Sequence, residues 1–176
     1  MRRLGIGFLV LTLTLLTLLV GAVTASAESP HFKKGGEPVC TISSGQATCS
    51  ASLAGLGNQD VDLTLDVGGV ATFNCVSPGG NASPGQNKVP FSGTNVQTIP
   101  GSAIKNGNLS FSITSPNQPP TATAQQAGCP NPNWTTSLAS ATVTSITLTI
   151  QQGGATLFTC TASGTFTEGQ TVPLAC

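Results

Sequence analysis

Three aspartates, one histidine, one tryptophan and six cysteines are the side chains of this sequence whose types point to chemistry. Asp60, Asp62 and Asp66 fall at alternate positions of Asp60-Val61-Asp62-Leu63-Thr64-Leu65-Asp66-Val67. On a strand they would share one face, with neighbours at i and i+2 about 7 Å apart. That separation falls inside the broad range of carboxylate pairs in glycoside hydrolysis, and carboxylates so placed also suit calcium. A glycosidase also needs a long cleft with aromatic lining, which a chain with one Trp scarcely supplies. The preferred reading is a solvated strand face whose like charges discourage edge-to-edge aggregation. His31 lies close to the N-terminus, where no packed structure would hold it as a base for a serine or cysteine nucleophile. No catalytic residue, metal ligand or cofactor is therefore expected. Trp134, in Pro130-Asn131-Pro132-Asn133-Trp134, could stack flat on a partner such as a sugar ring, or pack partly into the core.

The cysteines need a compartment before they can be read. Arg2 and Arg3, the Leu/Thr/Val-rich run 4–23 and Ala25-Ser26-Ala27 have the order of a secretory signal peptide, residues 1–27. The apolar run approaches the ~20 residues of a membrane span, so an uncleaved anchor is the rival reading. Cleavage leaves 176 − 27 = 149 residues, released to the extracellular medium and holding no membrane segment. Cys40, Cys49, Cys75, Cys129, Cys160 and Cys176 all lie in the mature part, and an even number outside the cytosol reads as up to three disulfides. Zinc is disfavoured, because the tightest spacing is Cys40 to Cys49 and no histidines support it.

Charge excludes nucleic acid. Charged residues make up 7% of the chain, far below the typical ~25%. Without Arg2 and Arg3 four lysines face six acids, a mature net charge of 4 − 6 = −2. No dense basic face for phosphates can be built from Lys33, Lys34, Lys88 and Lys105.

The elements that would position these side chains are strands. Residues 28–38 are polar, Gly- and Pro-containing and aperiodic, and are expected to be a disordered leader. From 39 to 176 short runs of Val, Ile, Leu, Phe and Thr alternate with Gly, Pro and Asn punctuation. The pattern predicts an all-β chain, a single disulfide-bonded β-sandwich of immunoglobulin-like architecture following the cleaved signal peptide. Strands are expected at 60–67, 69–76, 108–114, 141–150 and 155–162. Gly68-Gly69, Asn106-Gly107 and Gly153-Gly154 are expected hairpin turns, and 100–105 a corner or short helical turn. The change of parity between Val143 and Ile146 predicts a bulge near Thr144-Ser145.

Two long loops, 77–88 and 115–128, are flanked by Cys75 and Cys129, which suggests a bridge between the loop bases. Around a Ser44-Gly45 turn, Cys40 would face Cys49 at a non-hydrogen-bonded position, with Cα atoms about 4.5 Å apart. A local Cys40–Cys49 bridge is then allowed and would leave Cys160 with Cys176. A bridge from Cys40 or Cys49 across the sandwich to Cys160 would close a longer loop and is the competing arrangement.

Three segments carry a resemblance: Asn74-Cys75-Val76-Ser77-Pro78-Gly79-Gly80-Asn81, Pro84-Gly85-Gln86-Asn87-Lys88 and Gly128-Cys129-Pro130-Asn131-Pro132-Asn133-Trp134. Together they resemble a group of small uncharacterised proteins secreted by Gram-positive bacteria. The resemblance implies secretion and a β-rich fold, and no activity. The functional expectation is a secreted, non-enzymatic protein binding a neutral extracellular or cell-surface partner, a polysaccharide or another protein. The alternatives are a small enzyme inhibitor presenting a long loop, and a hydrolase using the aspartate face.

Overall fold

A computed structural model of the chain describes residues 29–116 and 121–176. The expected signal peptide, 1–27, lies outside the described residues. The described residues are all-β: two five-stranded antiparallel sheets whose apolar faces contribute to one shared core. Among the described residues the helical structure is a 3₁₀ turn at Gly101–Ala103, at the expected corner, and a single turn near residues 124–128. No helix among them is long and apolar enough to cross a membrane.

The first sheet is built on the hairpin of β2 (Val39–Ser43) and β3 (Gln46–Ala54). Ser44 and Gly45 both hold positive φ, 50° and 78°, which matches the right-handed twist of the strands they join. The resulting register pairs Ser43 with Gln46, Thr41 with Thr48 and Cys40 with Cys49. β1 (His31–Phe32) continues beside the far end of β3, β7 (Leu109–Thr114) lies along its other side, and β10 (Thr171–Pro173) adds to β2. The leader expected to be disordered therefore has order from residue 29. Its strand β1 is followed by a turn in which Lys33 N–H donates to Ser52 and Ser52 N–H to Gly36. Two residues of strand and a few backbone bonds leave too little apolar periodicity to be read from sequence.

The second sheet centres on β4 (Val61–Val76), paired along its whole length with β8 (Thr135–Gln152), which hairpins into β9 (Ala155–Phe166). On β4's other side lie β6 (Val89–Ile99) and the short β5 (Ala82–Pro84). Gly68-Gly69 is not a hairpin turn: the two expected strands flanking it are one strand. These glycines serve close approach instead, since a Cβ on Gly69 would lie 2.3 Å from the Thr142 carbonyl and 2.4 Å from the Phe91 ring. The expected bulge is present: Gly68 opposes Ser145 and Gly69 opposes Val143, which leaves Thr144 unopposed. The extra residue turns Val143, Ile146, Leu148 and Ile150 all inward despite their mixed parity.

Leu53, Leu63, Leu65, Ile146, Leu148 and Ile150 form the centre of the core, each almost fully excluded from water. Each such side chain contributes about 1.5–3 kcal/mol of burial. On one side the sheets are joined where Thr161 and Ala175 exchange backbone bonds of 2.8 and 2.9 Å. Cys160–Cys176 fastens the same place, and Cys40–Cys49 and Cys75–Cys129 are the other two disulfides. All three pairs are those the hairpin register and the loop bases suggest, and no cross-sandwich bridge to Cys160 forms.

Candidate functional site

The outer face of the second sheet is the largest regular array of functional groups. In an antiparallel pair, directly opposed residues project to the same face, so the register writes out the ranks. Thr98, Asp62, Gln151 and Thr156 form one rank across β6, β4, β8 and β9. Val96, Thr64, Thr149 and Thr159 form the next, followed by Thr94, Asp66, Thr147 and Thr161. Ser92, Gly68, Ser145 and Ser163 complete the array. Strand geometry sets these groups about 4.8 Å apart across strands and about 6.8 Å along them. Threonine suits both roles here: the β-branch favours the strand, and the hydroxyl stays wet. No lysine or arginine stands in these ranks.

Two of the three aspartates belong to this face. Asp62 and Asp66 each accept a hydrogen bond from a threonine hydroxyl of β6, Thr98 (2.6 Å) and Thr94 (2.5 Å) respectively. Asp60 does not join them. It precedes β4 and accepts the Gly101 N–H at 2.8 Å, which anchors the 3₁₀ turn. The two that remain are four residues apart, roughly 13 Å along a strand, too far for a carboxylate pair acting on one glycosidic bond. A groove of about 510 Å³, lined by β6, β7 and the connection between them, touches none of the aspartates.

The other candidates are dispersed. His31 is exposed in β1, its Nδ1 2.8 Å from the Ser29 carbonyl oxygen. Trp134 is half-buried ahead of β8 and belongs to neither apolar cluster, so it is neither a core residue nor a fully exposed platform. Among the described residues no three His, Cys, Asp or Glu side chains gather as metal ligands. Sequence reasoning missed Glu168, which accepts bonds from the Ser43 hydroxyl and the Ser44 N–H and so pins the tip of the β2–β3 hairpin. A lone glutamate between Thr167 and Gly169 gives no pattern from which that contact could be read.

The two long loops are tied to one another. Asn87 donates its backbone N–H to Ala127 (3.0 Å) and its side-chain amide to Gln126 (3.2 Å), and Cys75–Cys129 lies beneath them. The tip of the first is a closed turn: Ser77 N–H donates to Asn81, and Gly80 N–H returns to Ser77, each at 2.9 Å.

No family model and no curated protein matches the chain. Among solved structures it is similar to a crystal structure of Bacteroides uniformis beta-glucuronidase, at 13% identity and a TM-score of 0.26. The similarity covers 76% of this chain and 14% of that one, and at such a score it carries no argument about fold or activity.

Proposed function

We propose that the mature chain acts outside the cell as a non-catalytic binding protein for a neutral partner, foremost a polysaccharide, held on the outer face of the second sheet. The observation that carries this reading is the in-register array of hydroxyl groups, joined by the Gln151 amide and by the Asp62 and Asp66 carboxylates that threonines cap, with no basic residue in it. Sugars present hydroxyl donors and acceptors that match such groups, carboxylates included, without needing a basic residue. Each exchanged hydrogen bond is worth only ~0.5–1.5 kcal/mol net, so affinity would come from many bonds along an insoluble polymer. Three disulfides are consistent with an oxidising compartment and with export behind a cleaved leader. The same reading takes the two sheets over their shared core as an immunoglobulin-like sandwich.

The test is sedimentation of the mature protein with cellulose, chitin or peptidoglycan. A Thr149→Lys/Thr159→Lys variant, which puts two charges in the middle of the array, is expected to reduce the bound fraction at least tenfold. Equal retention by the variant, or none of the wild type on any glycan, would sink the reading. A second reading, an inhibitor presenting a loop, is favoured by one feature: the exposed 77–81 turn is closed by its own hydrogen bonds and sits directly after disulfide-bonded Cys75.

A further inference from the structure

Opposite the closed β9–β10 side, the sheets part between β6 and β7. There the array face gives way to a groove of about 510 Å³, walled by Gln97 and Ile99 of β6, by Lys105, and by the whole run 108–112. Both parities of β7 line it, so the groove runs along the edge of the strand and not along one face.

The hairpin fixes which backbone groups that edge presents. Residues flanking a two-residue turn form a hydrogen-bonded pair, so Gln46, Thr48 and Ser50 bond to β2. Ala47, Cys49, Ala51 and Leu53 then turn toward β7, and the Ser115 N–H does donate to Ala47 at 2.9 Å. Across the register, Leu109, Phe111 and Ile113 bond back to β3. Ser110, Ser112 and Thr114 therefore point their N–H and C=O groups outward. Thr114 has a substitute partner, the Asn95 side-chain amide at 2.7 Å, which closes one end of the groove. Among the described residues Ser110 and Ser112 have no backbone partner on this side.

Edge strands carry prolines, charges or bulges that discourage pairing. β10 holds Pro173 and β6 holds Pro90, whereas β7, Leu-Ser-Phe-Ser-Ile-Thr, has none of these devices. Its edge faces the groove bordered by Gln97 and Ile99 of β6 and by Ala103 and Lys105 of the connection. The floor is apolar, with Leu109 and Phe111 beside Ile99. Among the described residues Lys105 is the only basic or acidic side chain in the lining, and its Nζ donates to the Ser102 carbonyl, not to a carboxylate.

We propose that this groove takes the C-terminal segment of another protein as an added strand, antiparallel to β7, with its terminal carboxylate on Lys105. Orientation follows from position: Lys105 stands at the N-terminal end of β7, where an antiparallel strand ends. The 109–113 edge, about 17 Å long, holds some five residues. Main-chain bonds to Ser110 and Ser112 supply the affinity, and alternate apolar side chains meet Leu109 and Phe111.

The probe is a pool of hexapeptides built randomly from Val, Ile, Thr and Ser, prepared with free carboxylate and as the amide, and titrated into ¹⁵N-labelled mature protein. The acid pool is expected to shift the Ser110 and Ser112 amide signals and to slow their exchange at least tenfold. The amide pool should bind at least tenfold more weakly, and Lys105→Ala should erase that difference while the protein stays folded. Ser112→Pro, which removes an outward N–H that no ladder bond uses, should abolish the shift of the Ser110 amide that remains. The proposal is overturned if neither pool moves Ser110 and Ser112, if acid and amide bind alike, or if the protein alone associates through β7 as its concentration rises.

Discussion

The two halves of β4 are buried by different means. From Val61 to Val67 its inward side chains meet the first sheet, in a core to which nearly every strand contributes. Beyond the Gly68-Gly69 approach the strand continues with β8 as an arm, where Ala71, Phe73 and Ala127 form a small cluster covered by Val89 and Phe91 of β6 and by Ala122 and Cys129. The disulfides divide along the same line. Cys40–Cys49 and Cys160–Cys176 span 9 and 16 residues inside or beside the main core, whereas Cys75–Cys129 spans 54 residues and holds the loop onto the arm. Where apolar area is large, the bridges are short staples between neighbours. Where it is small, the covalent link constrains the most chain. A body of stacked sheets can thus project an arm whose small cluster meets the main core through Phe91 alone among the clustered side chains described.

The largest expected effect contrasts equivalent truncations on the two sides. Leu148 is fully buried in the main core, and Leu148→Ala should lower global stability by about 2–5 kcal/mol, read from the shift in urea midpoint. Phe73 is 3% exposed, yet Phe73→Ala should move that midpoint less and instead speed amide exchange in 121–129. Equal midpoint shifts would show body and arm to be one cooperative unit, and the comparison would fail.

Next in size is the arm's covalent link. In the chain-entropy account, loop closure over 54 residues is worth up to ~4 kcal/mol, against ~2.5 for the 9-residue loop. In a Cys75→Ala/Cys129→Ala variant, hydrogen exchange should rise at 82–87 and 121–129 while the β2–β3 hairpin keeps its protection. Loss of protection in that hairpin would mean that the bridge holds the body together as well.

The body was more legible in the sequence than the arm and its edges. Clean alternation marked 61–67 and 109–114 because one face of each meets a continuous core. Two positive-φ positions in Ser44-Gly45 set the hairpin register, and with it the facing of Cys40 and Cys49. β6 gave no such signal. It contains Pro90 and Gly93, its inward positions between the apolar ends Val89 and Ile99 run Phe91, Gly93, Asn95 and Gln97, and Val96 on the outer face is 62% exposed. A strand over an open groove buries no full face, so no period was selected into it. Gly68-Gly69 misled for a related reason: two glycines signal a turn and a close packing contact alike, and only Phe91 and Thr142 across the sheet distinguish them. The hydroxyl array was invisible because no one strand contains it. It exists only once β6, β4, β8 and β9 are in register.

The smallest effect tests how far the arm's cover stands on its own local chemistry. Thr123 and Gln126 form a reciprocal cap: the Gln126 N–H donates to the Thr123 hydroxyl at 3.2 Å, and the Thr123 N–H to the Gln126 side-chain oxygen at 2.9 Å. At the other end Gly128 takes φ 70°, and the N–H groups of Gly128 and Cys129 return to Gln125 and Ala124. One turn capped at both ends places Ala127 against Phe73 and delivers Cys129 to Cys75. Removing the hydroxyl in Thr123→Ala should cost about 1 kcal/mol. With so few residues depending on it, the loss should appear as faster exchange at Ala127 and Cys129 and not as a changed urea midpoint. Thr123→Ser keeps the acceptor and should exchange like the wild type. If the serine variant opens as readily as the alanine one, the cap is incidental, and the disulfide alone holds the cover in place.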